Sequence, residues 1–112
     1  MAEISFNDFL NVDIRGGEIL RAEPYPEARN SAIKLWISFG PEIGEKKSSA
    51  QITKYYKPEM LIGKQVMAVV NFPPLQIGKF ISEVLVLGLG DTDGGIILIG
   101  PDERVDNGER MH

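Results

Sequence analysis

The sequence predicts an all-β domain that closes into a five-stranded barrel with Greek-key connectivity. Three observations predict it: short runs in which apolar and polar residues alternate, glycine and proline turn signals between them, and one short helix between the third and fourth strands. The turn spacing alone also fits a β-sandwich, and the position of the helix favours the barrel. With 112 residues, the chain has the length of one domain, expected to span residues 1–112.

A short helix is predicted near the N-terminus, where Ser5 can cap a helical turn. The spacing places Phe6, Phe9 and Leu10 on one side of that turn. A single turn is not stable alone in water. We therefore expect this apolar side to pack on the barrel or on a second subunit.

The first strand is predicted over residues 12–22, and the pair Gly16–Gly17 inside it indicates a bulge or sharp bend. Prolines at positions 24 and 26 are expected to end this strand. Residues 32–39 form the clearest strand, because every second side chain is apolar. The predicted core face of that strand consists of Ile33, Leu35, Ile37 and Phe39.

The remaining elements complete the barrel. Residues 44–53 predict a third, more polar strand, and a proline at position 58 followed by Gly63 predicts the short helix. Strands four and five are predicted over residues 65–70 and 81–87, with a proline-rich loop between them and a further strand at residues 96–99 after a turn. This order is that of the oligonucleotide/oligosaccharide-binding (OB) barrel.

Composition excludes several kinds of chemistry. The chain has no cysteine, and its one histidine is the terminal His112, so disulfides, thiolate metal sites and Ser-His-Asp catalysis are not expected. We therefore expect no catalytic residues, no metal and no cofactor. No apolar run is long enough to span a membrane and no signal peptide is evident, so the sequence predicts a cytoplasmic protein without membrane contact.

Two short motifs resemble known ligand-binding sequences but lack features that those sites require. The run Gly88-Leu89-Gly90 begins like a dinucleotide fingerprint, but no amphipathic helix follows it. The Asp91-Thr92-Asp93 run lacks the glycine that a calcium loop requires at its sixth position. We interpret both as turn sequences.

The net charge of -4 is unevenly distributed. Residues 46–79 hold six lysines against one glutamate, a local +5, whereas residues 80–112 hold two arginines against seven acids, a local -5. A basic stretch can attract phosphates even when the total charge does not. Aromatic residues lie within or near this stretch and are candidates for stacking on bases: Trp36, Tyr55, Tyr56 and Phe80.

Two segments carry a family resemblance. Residues 13–19 (DIRGGEI) resemble the opening D-[IL]-R-V-G-x-I strand of the tRNA-binding domain family, and residues 61–72 (LIGKQVMAVVNF) resemble its L-x-G-K-x-V-x-x-V-x-N-L block. Residues 82–87 are similar to its closing strand. This family is also found appended to some methionyl- and phenylalanyl-tRNA synthetases. Within it, residues 48–74 resemble a subgroup of bacterial chaperones linked to protein export.

The resemblance implies a homodimer without enzymatic activity that binds unfolded precursor polypeptides and the export motor SecA. A structure-specific tRNA-binding module is the alternative. Two departures from the family pattern, Tyr25 in place of histidine and Ala50-Gln51 in place of Ser-Gly, favour the chaperone, as does the acidic total.

Both functions predict a surface that binds nucleic acid or peptide. The candidate residues for it are Arg15, Lys46, Lys47, Lys54, Tyr55, Lys57, Asn71, Phe72, Lys79 and Ser82. The candidate dimer interface consists of Phe6, Phe9, Leu10, Ile97 and Ile99.

Overall fold

The computed structural model describes all residues 1–112. In chain order its elements are α1 (Phe6–Leu10), β1 (Ile14–Tyr25), β2 (Ala32–Ser38), α2 (Gly40–Ile43), β3 (Glu45–Ala50), α3 (Pro58–Leu61), β4 (Gln65–Val69), β5 (Leu75–Ile77), β6 (Phe80–Ser82), β7 (Leu85–Val86), β8 (Gly88–Gly90) and β9 (Ile96–Leu98). The three helices are all too short to cross a membrane. The predicted N-terminal helix and the helix between strands three and four are both present, and Ser5 caps α1.

The main sheet is antiparallel and curls into an OB-like barrel. Its strand order is β3-β2-β1-β4-β7. The segment around β6 and β7 closes the barrel, because the amides of Glu83 and Val84 donate to the carbonyl of Lys47 on β3 at 2.7 and 3.3 Å. The next residues of the same segment, Leu85 and Val86, pair with β4. The predicted fold class is confirmed.

The single fifth strand predicted over residues 81–87 is wrong in detail. That segment has β3 as its partner in its first half and β4 in its second, so it divides into the short strands β6 and β7. Two hairpins were also not predicted. β5 lies in the segment expected to be a proline-rich loop, and it pairs with β6, which follows that loop. The second hairpin is formed by β8 and β9.

The core lies between the inner faces of β1, β2 and β4 and is covered by α3. The apolar face predicted for β2 is confirmed, because Ile33, Leu35, Ile37 and Phe39 are all almost completely buried. α3 contributes Leu61 to the same cluster. The alternation that buries these side chains places Lys34 and Trp36 on the outer face of the same strand.

The bulge in β1 lies elsewhere than predicted. The register with β2 shifts between Ile19 and Arg21, whereas Gly16–Gly17 pairs regularly with β4. A Cβ atom on Gly17 would lie 2.7 Å from the ring of Phe39. The glycine is therefore required by close packing of β1 on the core.

The prediction that Pro24 ends the first strand is also wrong, since β1 continues to Tyr25 and Pro24 pairs with Ile33. β4 pairs only with residues 14–18 of β1. At Pro24 the strand therefore has one neighbour and an open edge, where proline is tolerated.

Candidate ligand-binding surfaces

The outer surface of β1, β2 and β3 and the tip of the β5–β6 hairpin together present aromatic rings interleaved with cations. We call this surface the cationic aromatic face. It consists of Arg21, Tyr25, Lys34, Trp36, Lys47 and Phe80.

Three rings form the centre of this face. Phe80 lies between the other two, with its centroid 5.8 Å from Trp36 at an interplanar angle of 81° and 5.8 Å from Tyr25 at 58°. These distances and angles are those of favourable edge-to-face and tilted aromatic pairs. The rings therefore support one another as a rigid platform.

Cations lie over each of the rings. The guanidinium carbon of Arg21 is 4.2 Å from the Trp36 centroid. The ammonium nitrogens of Lys34 and Lys47 lie 5.7 and 5.2 Å from the Phe80 centroid. These are cation–π distances, so the platform holds positive charge at its surface without burying it.

Acidic neighbours reduce this charge only in part. Glu23 accepts a hydrogen bond from Nε of Arg21 at 2.6 Å and lies 4.0 Å from the ammonium of Lys34. Lys47 and Lys79 form no ion pair. Their charges are available to an anionic ligand. No cluster of carboxylate or imidazole groups in the structure could hold a metal ion.

The hairpin tip is fixed against the face by Tyr25. Its hydroxyl donates to the carbonyl of Ile77 at 2.5 Å. Gly78, at φ +63°, follows, and a Cβ atom there would lie 2.5 Å from the same hydroxyl. The turn therefore requires glycine both for its backbone conformation and for the close approach of the ring.

A second surface is apolar. A groove of about 380 Å³ lies between the β5–β6 hairpin and β7. We call it the apolar groove, and its lining comprises Phe72, Pro73, Leu75, Ile77, Val84 and Leu85 with Ser49, Ser82 and Glu83 at its polar side. Phe72, Leu75 and Leu85 are 53%, 63% and 50% exposed.

The structure divides the predicted binding residues among several places. Lys47 lies on the cationic aromatic face, and Lys79 lies in a recess beside it. Phe72 and Ser82 line the apolar groove, where the Ser82 hydroxyl accepts a hydrogen bond from the amide of Ser49 at 3.1 Å. Lys46 is half-buried on β3, and Lys57 is exposed immediately before α3.

Lys54 and Tyr55 lie against the turn of the β8–β9 hairpin. Lys54 donates to the carbonyl of Asp93, and the Tyr55 hydroxyl donates to the carboxylate of Asp91. This hydrogen bond lowers the pKa of Asp91 and raises the pKa of Tyr55. Both side chains therefore face an acidic turn and not the cationic aromatic face.

Arg15 and Asn71 are engaged in internal hydrogen bonds. Arg15 donates to the Asp13 carboxylate at 2.6 Å and to the carbonyl of Gly108 at 3.0 Å, and its hydrogen bond lowers the pKa of Asp13. The Asn71 side chain accepts from the amide of Asp13 at 3.0 Å and donates to the carbonyl of Asn11 at 2.8 Å. These two motif residues hold the chain ends on the barrel.

Arg21 and Lys34 were not among the predicted binding residues. Arg21 lies in a segment that is acidic overall, and Lys34 precedes the basic stretch. Lys34 could have been predicted from the alternation of side chains in β2, because it shares the outer face of that strand with Trp36. Trp36 and Phe80, both named as stacking candidates, are brought into contact.

The predicted interface residues are largely exposed. Phe6 is 72% exposed and its ring lies 6.1 Å from that of Phe9. Leu10 is also exposed, as is Ile97, which lies opposite the exposed Leu89 in the β8–β9 pair. Ile99 is half-buried, and its amide donates to the carbonyl of Leu87.

Known proteins share both the sequence pattern and the fold of this chain. Residues 14–110 match the family described as "Putative tRNA binding domain", which is a binding domain and not a catalytic one. The crystal structure of the chaperone CsaA from Bacillus anthracis superposes with a TM-score of 0.93 at 50% identity, covering 99% of this chain and 100% of that one. CsaA from Picrophilus torridus gives 0.91 at 50% identity, covering 98% and 100%.

Curated relatives include much longer proteins. The methionine–tRNA ligase of Porphyromonas gingivalis is 36% identical over 109 residues, which are 97% of this chain and 16% of that enzyme. The chain therefore spans about one sixth of the length of such relatives.

Proposed function

Because this chain belongs to the tRNA-binding domain family, we propose that it is a non-catalytic binding protein whose apolar groove holds extended segments of unfolded polypeptide. The observation that carries this proposal is the groove itself. Phe72, Leu75 and Leu85 each leave half or more of their surface in water, and they do so side by side. Exposed apolar side chains grouped in this way mark a binding site.

The hairpin beside the groove offers a way to hold a backbone as well as side chains. β5 pairs only with β6, so its other edge has no strand partner. An extended polypeptide can add to such an edge through main-chain hydrogen bonds while alternate side chains enter the neighbouring pocket. This mode is tolerant of client sequence, as a chaperone requires. The similarity to two chaperone structures at 50% identity supports the proposal.

The experiment measures suppression of aggregation of a chemically unfolded client by light scattering. Leu75→Ser and Leu85→Ser are expected to weaken suppression at least fivefold, because each removes most of an exposed apolar side chain, worth roughly 1.5–3 kcal/mol when fully buried by a client. Leu20→Ser is the matched control, since Leu20 is 45% exposed and lies outside the groove. If the wild-type protein does not slow aggregation, the proposal fails.

We further propose that the functional unit is a homodimer. Phe6, Leu10 and Ile97 belong to the predicted interface and expose apolar surface that a second copy would cover. Light scattering coupled to size exclusion tests it, and a single species of 12.4 kDa at micromolar concentration would overturn it. The export motor SecA remains the partner that the sequence resemblance predicts, and the cytoplasm remains the location predicted from the absence of a membrane-spanning run and a signal peptide in the sequence.

A second function, tRNA binding, is favoured by the cationic aromatic face. OB barrels bind oligonucleotides on the strand 2–3 face and the adjoining loops, and Lys34, Trp36 and Lys47 occupy that surface here. Aromatic rings among cations are what a flexible strand or exposed base requires. The similarity to methionine–tRNA ligases supports this proposal.

Filter retention of labelled tRNA tests this second function. Trp36→Leu keeps apolar bulk but removes the stacking surface, so we expect about tenfold weaker retention, within the roughly 1–3 kcal/mol that one stacked base contributes. Tyr56→Leu is the control, because the Tyr56 hydroxyl accepts from the amide of Leu98, away from the face. Absence of retention at low salt would overturn the proposal.

A further inference from the structure

A recess of about 580 Å³ opens beside the cationic aromatic face, between the end of β1 and the tip of the β5–β6 hairpin. It is lined by Tyr25, Glu27, Lys34, Gly78, Lys79 and Phe80. Two lysines and two rings are the groups expected of a surface that receives a nucleotide. A carboxylate among them is unexpected, because it repels phosphate.

Glu27 differs from the other acidic residue near the face. The carboxylate of Glu23 is occupied, since it accepts from Arg21 and lies against Lys34. Glu27 forms no ion pair and accepts no hydrogen bond within the chain. Glu27 is exposed in the turn after β1, at the rim of the cationic recess, so its carboxylate can exchange water for a hydrogen-bond donor on a ligand.

The nucleotide bases differ in what they offer such an acceptor. Cytosine carries an amino group at position 4, where uracil carries a carbonyl oxygen beside a single N–H at position 3, and Glu or Asp accepts from the cytosine amino group in nucleic-acid complexes. A carboxylate facing position 4 therefore accepts a hydrogen bond from cytosine and is repelled by the oxygen of uracil. Proteins read RNA mainly through unpaired bases stacked on aromatic rings and bonded along their Watson–Crick edges. Phe80 supplies the ring here, and Lys34 and Lys79 supply charge for the flanking phosphates.

We propose that this recess binds one unpaired RNA base and that Glu27 selects a base with an amino group on its Watson–Crick edge, cytosine over uracil. The inference rests on the proposed RNA binding and adds base selection to it. Glu27 acts as the specificity-determining residue, while the lysines supply affinity that is independent of sequence.

The test compares fluorescein-labelled heptamers of cytidine and of uridine by anisotropy at pH 7.5 and fixed salt. The two probes carry the same phosphates, so the electrostatic part of binding cancels in the ratio of their dissociation constants. We expect the cytidine heptamer to bind about tenfold more tightly, within the range for discrimination by one base contact. Glu27→Gln should reduce that ratio to about two or less, because an amide both donates and accepts.

Glu59→Gln is the matched control, since Glu59 is exposed on α3 and lies outside the recess, and it should leave the ratio at about ten. Equal affinity of the wild-type protein for the two heptamers overturns base selection. A cytidine preference that persists in Glu27→Gln overturns the role of Glu27. If tRNA is retained but neither heptamer binds, the recess inference fails alone, whereas loss of all RNA binding removes the function on which it rests.

Discussion

Removing charge from the cationic aromatic face should change the salt dependence of tRNA binding by an amount that the structure sets. The variant Arg21→Gln/Lys34→Gln/Lys47→Gln keeps most of each aliphatic stem on the rings while deleting three charges. Together with Lys79, four cations can contact phosphates. Each cation makes the slope of log K against log salt more negative by roughly 0.7–0.9, so the wild-type slope should be about -3. The variant should show a slope of about -1.

The loss of affinity follows from the same arithmetic. Three cations at roughly 0.7–0.9 each correspond to about 100- to 500-fold weaker binding at 0.1 M salt relative to a 1 M reference. Glu23 already neutralises part of the charge of Arg21 and Lys34, so the lower end of that range is expected. Filter retention at five salt concentrations gives both the slope and the affinity.

The control removes the same charge from elsewhere. Lys54→Gln/Lys57→Gln/Lys64→Gln changes the net charge equally, but these lysines are exposed and none lies on the face. Its slope should remain near -3, the wild-type expectation. If both triple variants lose slope equally, binding follows the overall charge and not this face, and the reasoning is refuted.

Three further predictions concern the support of the two surfaces. Tyr25→Phe deletes the hydrogen bond to Ile77 and should lower stability by roughly 0.5–1.5 kcal/mol in urea unfolding; unchanged stability would show that the hairpin does not depend on it. Gly17→Ala should cost roughly 1–3 kcal/mol through overpacking against the core, measured in the same way, and a neutral result would contradict the 2.7 Å approach. The third prediction concerns the hydrogen bond between Tyr55 and Asp91. Because the pKa of Asp91 is lowered, this bond stabilises the fold above the ordinary Asp pKa, and the stabilisation is lost as the pH falls through the lowered pKa. Because the pKa of Tyr55 is raised, the bond stabilises the fold below about pH 10, and the stabilisation is lost as the pH rises through the raised pKa. The stability difference between wild type and Tyr55→Phe should therefore be present from about pH 5 to 9 and shrink on either side; a difference independent of pH would contradict the assignment.

Local patterns were sufficient for the parts of the fold that depend on local periodicity. The alternation in residues 32–39 predicted β2 and its buried face, and the Pro58 signal predicted α3. They were insufficient where one segment has two partners. Residues 82–87 bond β3 and then β4 because the barrel must close there, and no period within those residues encodes the change of partner.

The candidate site shows the same limit. Sequence proximity grouped Lys47, Lys54 and Lys79 in one basic stretch, whereas the fold sends Lys54 to the acidic turn at Asp93. Arg21 joins the other two through the pairing of β1 with β2. A charge count along the chain therefore predicted the sign of the face and included Lys47 and Lys79, but it missed Arg21 and Lys34, because the members come from four elements.

The acidic total and the basic face together favour selective over general binding of RNA. At physiological salt, charges more than about 8 Å apart are largely screened, so a phosphate on the face responds chiefly to the nearest groups. Those are four cations, Arg21, Lys34, Lys47 and Lys79, against Glu23, Glu27 and Glu83, whose carboxylate accepts from the amide of Lys47 at 3.0 Å, a local +1 on a chain of net -4. Beyond that distance the protein offers no attraction to a polyanion. On the proposed RNA binding, an RNA would therefore have to come close enough to stack on the rings before it gains affinity, and shape and unpaired bases would then decide which RNA binds.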